Sequence, residues 1–313
     1  MPKTILGKTE LSVSQLGFGA APVGFLETQQ AQITEILTYL LDHGVNFIDT
    51  AAAYKGSEQS IGTAIGDRRD DYVLVSKCGM GGVELPEVDN NTWHPKAIAA
   101  TIDRSLDRLQ TDHIDVMLLH SCPQETLEQG DALGAVMDAV KAGKVRFAGY
   151  SGDNEAAAYA ATLPDISVIE TSINICDQHN IDAVLPVCIK NDIGVIAKRP
   201  IANAAWNPLD KQRGMYRSYA KTYHDRLNQM GVTPNQLGYS GHVELEWPEI
   251  ALKFTLAIPG VHTAIVGTTD PHNAENNIEA VNKNPLRQQA VDRLRDAFKQ
   301  AQEAAGEPWL GQT

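Results

Sequence analysis

Cysteine, cationic charge and long apolar runs are all scarce in this chain. Its four cysteines, Cys78, Cys122, Cys176 and Cys188, lie far apart in 313 residues and form no C-x-x-C pair. That spacing excludes a disulfide-stapled scaffold and the common structural zinc motifs. It fits a reducing compartment, so a cytoplasmic location is expected. Lys and Arg number 26 against 39 Asp and Glu, a net charge of −13. Grip on nucleic acid or an anionic membrane depends on neutralising phosphates, so neither is expected as a partner. No stretch reaches the roughly 18 uninterrupted apolar residues of a spanning helix. The first residues, MPKTILGKTELSVSQLG, hold no apolar run that would serve as a secretion signal. H-x-H and H-E-x-x-H are missing, and so is a complete G-x-G-x-x-G: Gly17-Phe18-Gly19 is followed by Pro22 where the third glycine belongs. No metal is expected, and no Rossmann domain.

What the chain does have is a repeat of short apolar runs and longer amphipathic stretches. Thr4–Leu6 and Leu11–Val13 flank a Gly7-Lys8 turn, which reads as an N-terminal β-hairpin. Eight strand candidates follow: Gln15–Phe18, Val45–Ile48, Tyr72–Ser76, Ile114–Leu119, Val145–Ala148, Val168–Ile173, Ile193–Ala197 and Thr263–Val266. Between them, Gln29–His43, His94–Leu109 and Leu127–Ala142 place apolar residues at helical spacing, and Gly44 and Gly143 stand where two helices should end. Alternating strands and helices imply parallel pairing, because each parallel pair needs a crossover. Eight units closing on themselves make an α/β fold of the (β/α)8 TIM-barrel type, with residues 1–313 as one domain. An open doubly wound sheet is the structural alternative. Two connections are long: Gly79–Trp93, and Ala202–Glu246 with Trp206, Tyr216, Tyr219 and Tyr223. In a barrel they are loops at the C-terminal face, where substrates bind, or an added helical excursion packed outside.

Polar residues gather at the ends of successive strand candidates. The second ends in Asp49 with Tyr54 on the loop beyond, the third in Lys77, the fourth in His120. Each alone is as often a structural ion pair or a satisfied core residue. In a barrel all four face one mouth, and together they suit carbonyl reduction. Hydride addition builds negative charge on oxygen, which needs a proton in the transition state. Tyrosine, with a free pKa of about 10, still holds its proton at neutral pH. A lysine cation nearby stabilises developing tyrosinate, an aspartate keeps that cation in place, and a histidine directs the carbonyl oxygen. A metal-dependent hydrolase built on His120-Ser121-Cys122 is a poorer alternative, because Lys77 would repel the cation.

Over nearly its whole length the sequence resembles the aldo-keto reductases. The matching segments are GVNFIDTAAAY (44–54), VSK (75–77), SLDRLQTDHIDVMLLH (105–120), GKVRFAGYS (143–151) and IPGVHTAIVGTT (258–269). The resemblance implies a catalytic tetrad of Asp49, Tyr54, Lys77 and His120. It also implies an extended nicotinamide cofactor across the barrel mouth, with NADP(H) favoured and NAD(H) the alternative. Carried over by position, the cofactor set is Gly19, Ala20, Asp49, Ser151, Gly152, Glu170, Lys198, Arg199, Ile201, Gly267, Thr268, Thr269, Asn273 and Asn277. Ser151 would hold the carboxamide, Lys198 and Arg199 the pyrophosphate, and the turn at 267–269 a phosphate at a helix N-terminus. This chain departs from the family's pattern at several of these positions. Gly152 replaces asparagine, Glu170 replaces glutamine, and Ile173 stands where an aromatic residue stacks on the nicotinamide. Gly267 and Asn273 occupy positions that often carry Lys and Arg in NADPH-selective members. The expected activity is reduction of an aldehyde, ketone or sugar, or its reverse. A nicotinamide-binding regulatory barrel with little turnover is the competing expectation.

Overall fold

A computed structural model of the protein describes residues 1–26, 28–212 and 216–313. Two short strands, β1 (Lys3–Ile5) and β2 (Ser12–Ser14), pair antiparallel with Lys3 opposite Ser14. Eight more form a closed, all-parallel barrel: β3 (Leu16–Gly19), β4 (Phe47–Asp49), β5 (Val73–Cys78), β6 (Ile114–His120), β7 (Val145–Ser151), β8 (Ile166–Ser172), β9 (Gly194–Lys198) and β10 (Thr263–Val266). β10 pairs with both β3 and β9, which closes the ring. The expected (β/α)8 barrel with its N-terminal hairpin is therefore the fold.

Side-chain alternation along these strands separates two cores. Phe47, Val73, Val75, Val116, Leu118, Val168, Ile196 and Ile265 form one apolar cluster with Leu6, Leu11 and Val13 of the hairpin segment. The barrel interior is thus filled, and the hairpin segment packs against it. Gly17 belongs to this packing, since a Cβ there would lie 2.8 Å from the Phe47 ring. The other cluster, which includes Leu74, Met117, Leu119, Ile169 and Val195, lies between the strands and the surrounding helices. Ile33, Ile36, Leu37, Leu40 and Leu41 of the helix Gln30–Asp42 join it, as their one-face spacing requires.

One connection differs from expectation, and another takes the helical form expected as its alternative. The stretch Leu127–Ala142 is two helices, Gln124–Gln129 and Asp131–Lys141, broken at Gly130, whose φ of +80° is left-handed. The long segment after β9 is mostly helical, with Tyr216–Met230 as its main element. Tyr223 is fully buried and donates to Asp177 Oδ2 at 2.8 Å, while Trp206 stacks on Trp247 with ring centroids 6.2 Å apart. Tyr219 lies under the Arg199 guanidinium, 4.8 Å from Cζ to the ring centroid. These aromatics do packing work within the protein. Residues 213–215 and the Tyr216 side chain, also part of the segment expected over the mouth, lie outside the described residues. Among the described residues no helix is long and apolar enough to cross a membrane.

Candidate active site

The barrel's alternation also builds the site. The inward sequence of β5 runs Val73, Val75, Lys77; that of β6 runs Val116, Leu118, His120; β4 gives Phe47 and then Asp49. Apolar side chains fill the interior, and the next inward position at the C-terminal end is polar. Strand register carries the polar layer around the ring: Gly19 lies opposite Asp49, His120 opposite Ser151, Ser151 opposite Glu170, and Ser172 opposite Lys198. Parallel pairing alone therefore gathers residues spread over more than half of the sequence.

At the centre is Lys77, fully buried. Its Nζ donates to Asp49 Oδ1 at 2.6 Å and to the Thr50 carbonyl at 3.1 Å, and lies 3.3 Å from Glu170 Oε2. The same atom sits 5.1 Å from the centroid of the Tyr54 ring. Burial works against the ammonium charge, but the Asp49 and Glu170 carboxylates outweigh it and raise the Lys77 pKa. Asp49 is pushed well above the usual carboxylate range by burial and then by Glu170, against the opposing pull of Lys77. Tyr54 is raised above its ordinary value by burial, with Lys77 the largest influence lowering it.

The loop bearing Tyr54 is tied to the barrel. Ala52 N donates to the Lys77 carbonyl at 3.1 Å, Ser57 N to the Tyr54 carbonyl at 2.9 Å, and the Thr50 and Ser57 hydroxyls share a hydrogen bond of 2.8 Å. The Tyr54 ring meets His120 edge-on at 5.8 Å between centroids, and Phe25 at 5.5 Å. His120 is held well below its ordinary pKa by burial and then by the charges of Lys77, Lys198 and Arg199, so its ring is neutral at pH 7. A neutral imidazole still offers one N–H to an oxygen. The structure thus brings the four expected catalytic residues into one cluster.

The expected cofactor residues divide. Gly19, Ala20, Ser151, Gly152 and Glu170 lie buried at the strand ends beside this cluster. Ser151 Oγ donates to Glu170 Oε1 at 3.1 Å, and Gly152 N to the Glu170 carbonyl at 3.0 Å. Gly152 has a steric reason: a Cβ would come within 2.4 Å of the Tyr150 hydroxyl, which bonds the Cys122 carbonyl at 3.0 Å. Lys198 and Arg199 are engaged by the protein itself. Lys198 Nζ pairs with buried Asp153 at 2.9 Å, and Arg199 donates to Ser172 Oγ at 2.9 Å and to the Gln312 carbonyl. Ile201 is half-buried after this turn. Gly267, Thr268 and Thr269 are half-buried and lead into the helix Pro271–Asn282, but Asp270 caps it, accepting from His272 N at 2.9 Å. Asn273 on that helix is exposed and Asn277 half-buried. Ile173 is fully buried and packs in the helix-side cluster, one residue beyond the end of β8.

Sequence reasoning missed the partners that hold this end. Asp153, two residues beyond Ser151, was within reach of the same strand-end rule. Its carboxyl resists burial and is held below the usual range by Lys198 and Arg199. The C-terminal residues carried no comparable signal. Gln312 N donates to Asp177 Oδ2 at 3.0 Å, and Gly311 N to Asn154 Oδ1 at 2.7 Å, so the tail lies across the ends of β7 to β9. Among the described residues no group of three His, Cys, Asp or Glu side chains is placed to share a metal ion.

The model of the Aldo/keto reductase family matches residues 15–299. The chain belongs to this family. It is 28% identical to the uncharacterized oxidoreductase YqkF of Bacillus subtilis, covering 96% of this chain and 97% of that one. It is 26% identical to the L-galactose dehydrogenase of Arabidopsis thaliana, over 88% and 86% of the two chains. Among solved structures it is similar to the holo form of the aldo-keto reductase AKR11C1 from Bacillus halodurans, with a TM-score of 0.78, 25% identity, and 95% and 96% of the chains covered. The protein is thus an oxidoreductase of a family that uses nicotinamide cofactors.

Proposed function

We propose that the protein is a carbonyl reductase, running reversibly as an alcohol or sugar dehydrogenase, in which Tyr54 gives the proton to the carbonyl oxygen. The observation that carries this reading is the buried Lys77 ammonium, held by Asp49 at 2.6 Å and poised 5.1 Å from the Tyr54 ring. Burial keeps Tyr54 protonated at neutral pH, as a proton donor must be. Lys77 then stabilises the phenolate as it forms, and Asp49 keeps the ammonium charged and in place. Neutral His120 donates a hydrogen bond to the carbonyl oxygen and fixes its direction. Phe25, edge-on to Tyr54, gives the mouth an apolar wall on the substrate side.

A nicotinamide suits the mouth. Glu170 Oε2 and His120 Nδ1 are buried polar atoms without a hydrogen-bond partner among the described residues, and the Ser151 hydroxyl lies beside Glu170. Ser151 and Glu170 would hold the carboxamide, Gly19 and Ala20 the floor beneath it, and the 267–269 turn with Asn273 and Asn277 the far end. When bound, the cofactor supplies the hydride. The family resemblance favours NADP(H). One observation favours NAD(H) as a second reading: Asp270 sits at the helix start, where a 2′-phosphate would meet a carboxylate. Lys198 and Arg199 are also already engaged within the protein.

The test is consumption of reduced nicotinamide absorbance with aldehydes, ketones and sugars, in parallel with NADPH and NADH. Tyr54→Phe should lower turnover by about 10²–10⁴-fold while cofactor affinity stays unchanged. A Tyr54→Phe protein that turns over normally would refute the proton-donor role. A wild type that binds nicotinamide but reduces nothing would instead favour a regulatory barrel.

A further inference from the structure

Glu170 has no part in the tetrad as described, yet it touches the tetrad's centre. An ammonium has three N–H donors. Two from Lys77 go to Asp49 Oδ1 at 2.6 Å and to the Thr50 carbonyl at 3.1 Å. Glu170 Oε2, 3.3 Å from Nζ, and Tyr54 are left to contest the third. Glu170 is itself buried at 2% exposure, and Ser151 holds its other oxygen at 3.1 Å. Two carboxylates on one buried ammonium leave a net charge of −1 when all are ionised. That charge lies beside a phenol that must become phenolate.

We propose that Glu170 is a positioning residue acting through Lys77: as a second carboxylate on one buried ammonium, it sets the charge beneath Tyr54 and so the pH window of the reaction. The inference rests on reading Tyr54 as the proton donor. Glutamine, the usual residue here, would supply a hydrogen-bonding group without the charge. Charged or titratable groups face this cluster from every side of the mouth: Asp49 from β4, Tyr54 from the loop after it, Lys77 from β5, and His120 from β6. From the end of β9 come Lys198 and Arg199, the former neutralised by Asp153 at 2.9 Å. Arg199 brings a further positive charge at that end, bonded to the Ser172 hydroxyl and the Gln312 carbonyl, so the excess negative charge is local to the Asp49–Glu170–Lys77 group and not a surplus over the whole mouth.

The signs follow from Coulomb's law. Glu170 raises Tyr54 and Asp49 alike, so removing its charge lowers both. Glu170→Gln should shift the acid limb of the kcat profile, where Asp49 takes a proton, to lower pH. It should shift the basic limb, where Tyr54 loses one, the same way. Glu170→Asp keeps the charge and should retain both limbs near their wild-type positions.

The deciding readout needs neither cofactor nor turnover. Phenolate absorbance is titrated in the protein and in its Tyr54→Phe variant, and the difference isolates Tyr54 from the other eight tyrosines of the nine present. The same pair is then measured in the Glu170→Gln background. A lower Tyr54 titration midpoint with Glu170→Gln, restored by Glu170→Asp, supports the proposal. Unmoved midpoints and pH limbs, with only cofactor affinity changed, would overturn it and leave Glu170 as a cofactor contact. If the wild type reduced no carbonyl, the proposed function would fail, while the titration would still decide the role of Glu170.

Discussion

Removing the Lys77 ammonium with Lys77→Met tests the electrostatics of the mouth most directly. Asp49 and Lys77 are 2% and 0% exposed and 2.6 Å apart. Breaking such a buried pair from one side costs about 3–5 kcal/mol, because the orphaned charge stays buried. A domain of this kind has roughly 5–15 kcal/mol of stability in total, so the variant should fold but unfold at distinctly lower denaturant. The loss should also depend on pH. Burial and Glu170 already push the Asp49 carboxyl upward, and Lys77 is the influence holding it down. Without Lys77, Asp49 in the folded state holds a proton to higher pH than in the unfolded chain. Native stability then falls as pH rises through that interval, so the variant should be weaker near pH 8 than near pH 5. Guanidinium unfolding of the wild type, Lys77→Met, Asp49→Asn and the double variant completes the cycle. The double variant should recover much of the lost stability and none of the activity. A loss below about 1 kcal/mol, equal at both pH values, is the behaviour of an exposed pair and would refute the argument.

Two further predictions concern groups beyond the Asp49–Lys77 pair. Gly152→Asn restores the residue common in the family but drives a Cβ to within 2.4 Å of the Tyr150 hydroxyl. It should cost about 1–3 kcal/mol in denaturant unfolding, and an unchanged midpoint would mean that Tyr150 yields freely. Asp177, buried beneath the C-terminal residues, is pushed up to about 6 from 3.8, first by burial and then by Asp153. The folded state therefore holds this proton more tightly than the unfolded one. The stability it contributes is full below the unfolded value and is lost as pH rises through about 6. Thermal melts should show Asp177→Asn gaining on the wild type from pH 4 to pH 7; a gap that stays constant would show that Asp177 does not titrate in this range.

The barrel was legible because its signal is periodic. Runs such as Ile114–Leu119 are nearly continuously apolar, as strands buried on both faces must be, and the turn glycines mark the units. The clustering of Asp49, Lys77 and His120 was legible for a related reason, since parallel register turns residues that end successive strands into neighbours. Ile173 shows where this stops. It lies one residue beyond the end of β8, where strand alternation no longer fixes direction, and the chain buries it against the helices. The partners of Lys198 and Arg199 were illegible for another reason. Arg199 meets the Gln312 carbonyl across a separation of 113 residues, and no local pattern reports such a contact.

The same alternation explains how the fold tolerates a buried cluster of opposed charges. In β5, Val73 and Val75 pack into the interior and Lys77 is simply the next residue on that face. The apolar layers fix the backbone from which Asp49, Lys77, His120 and Glu170 project, so ordering these side chains needs little extra structure. Their desolvation is unfavourable and must be offset by the packing below. Substitutions in the two layers should therefore separate cleanly. Loss of volume at Val75 or Leu118 would weaken the whole barrel, whereas a change of charge at Glu170 would act mainly on the protonation of its neighbours. Stability and acid strength are set by adjacent positions of one strand face, which is why the chemistry can vary while the barrel stays the same.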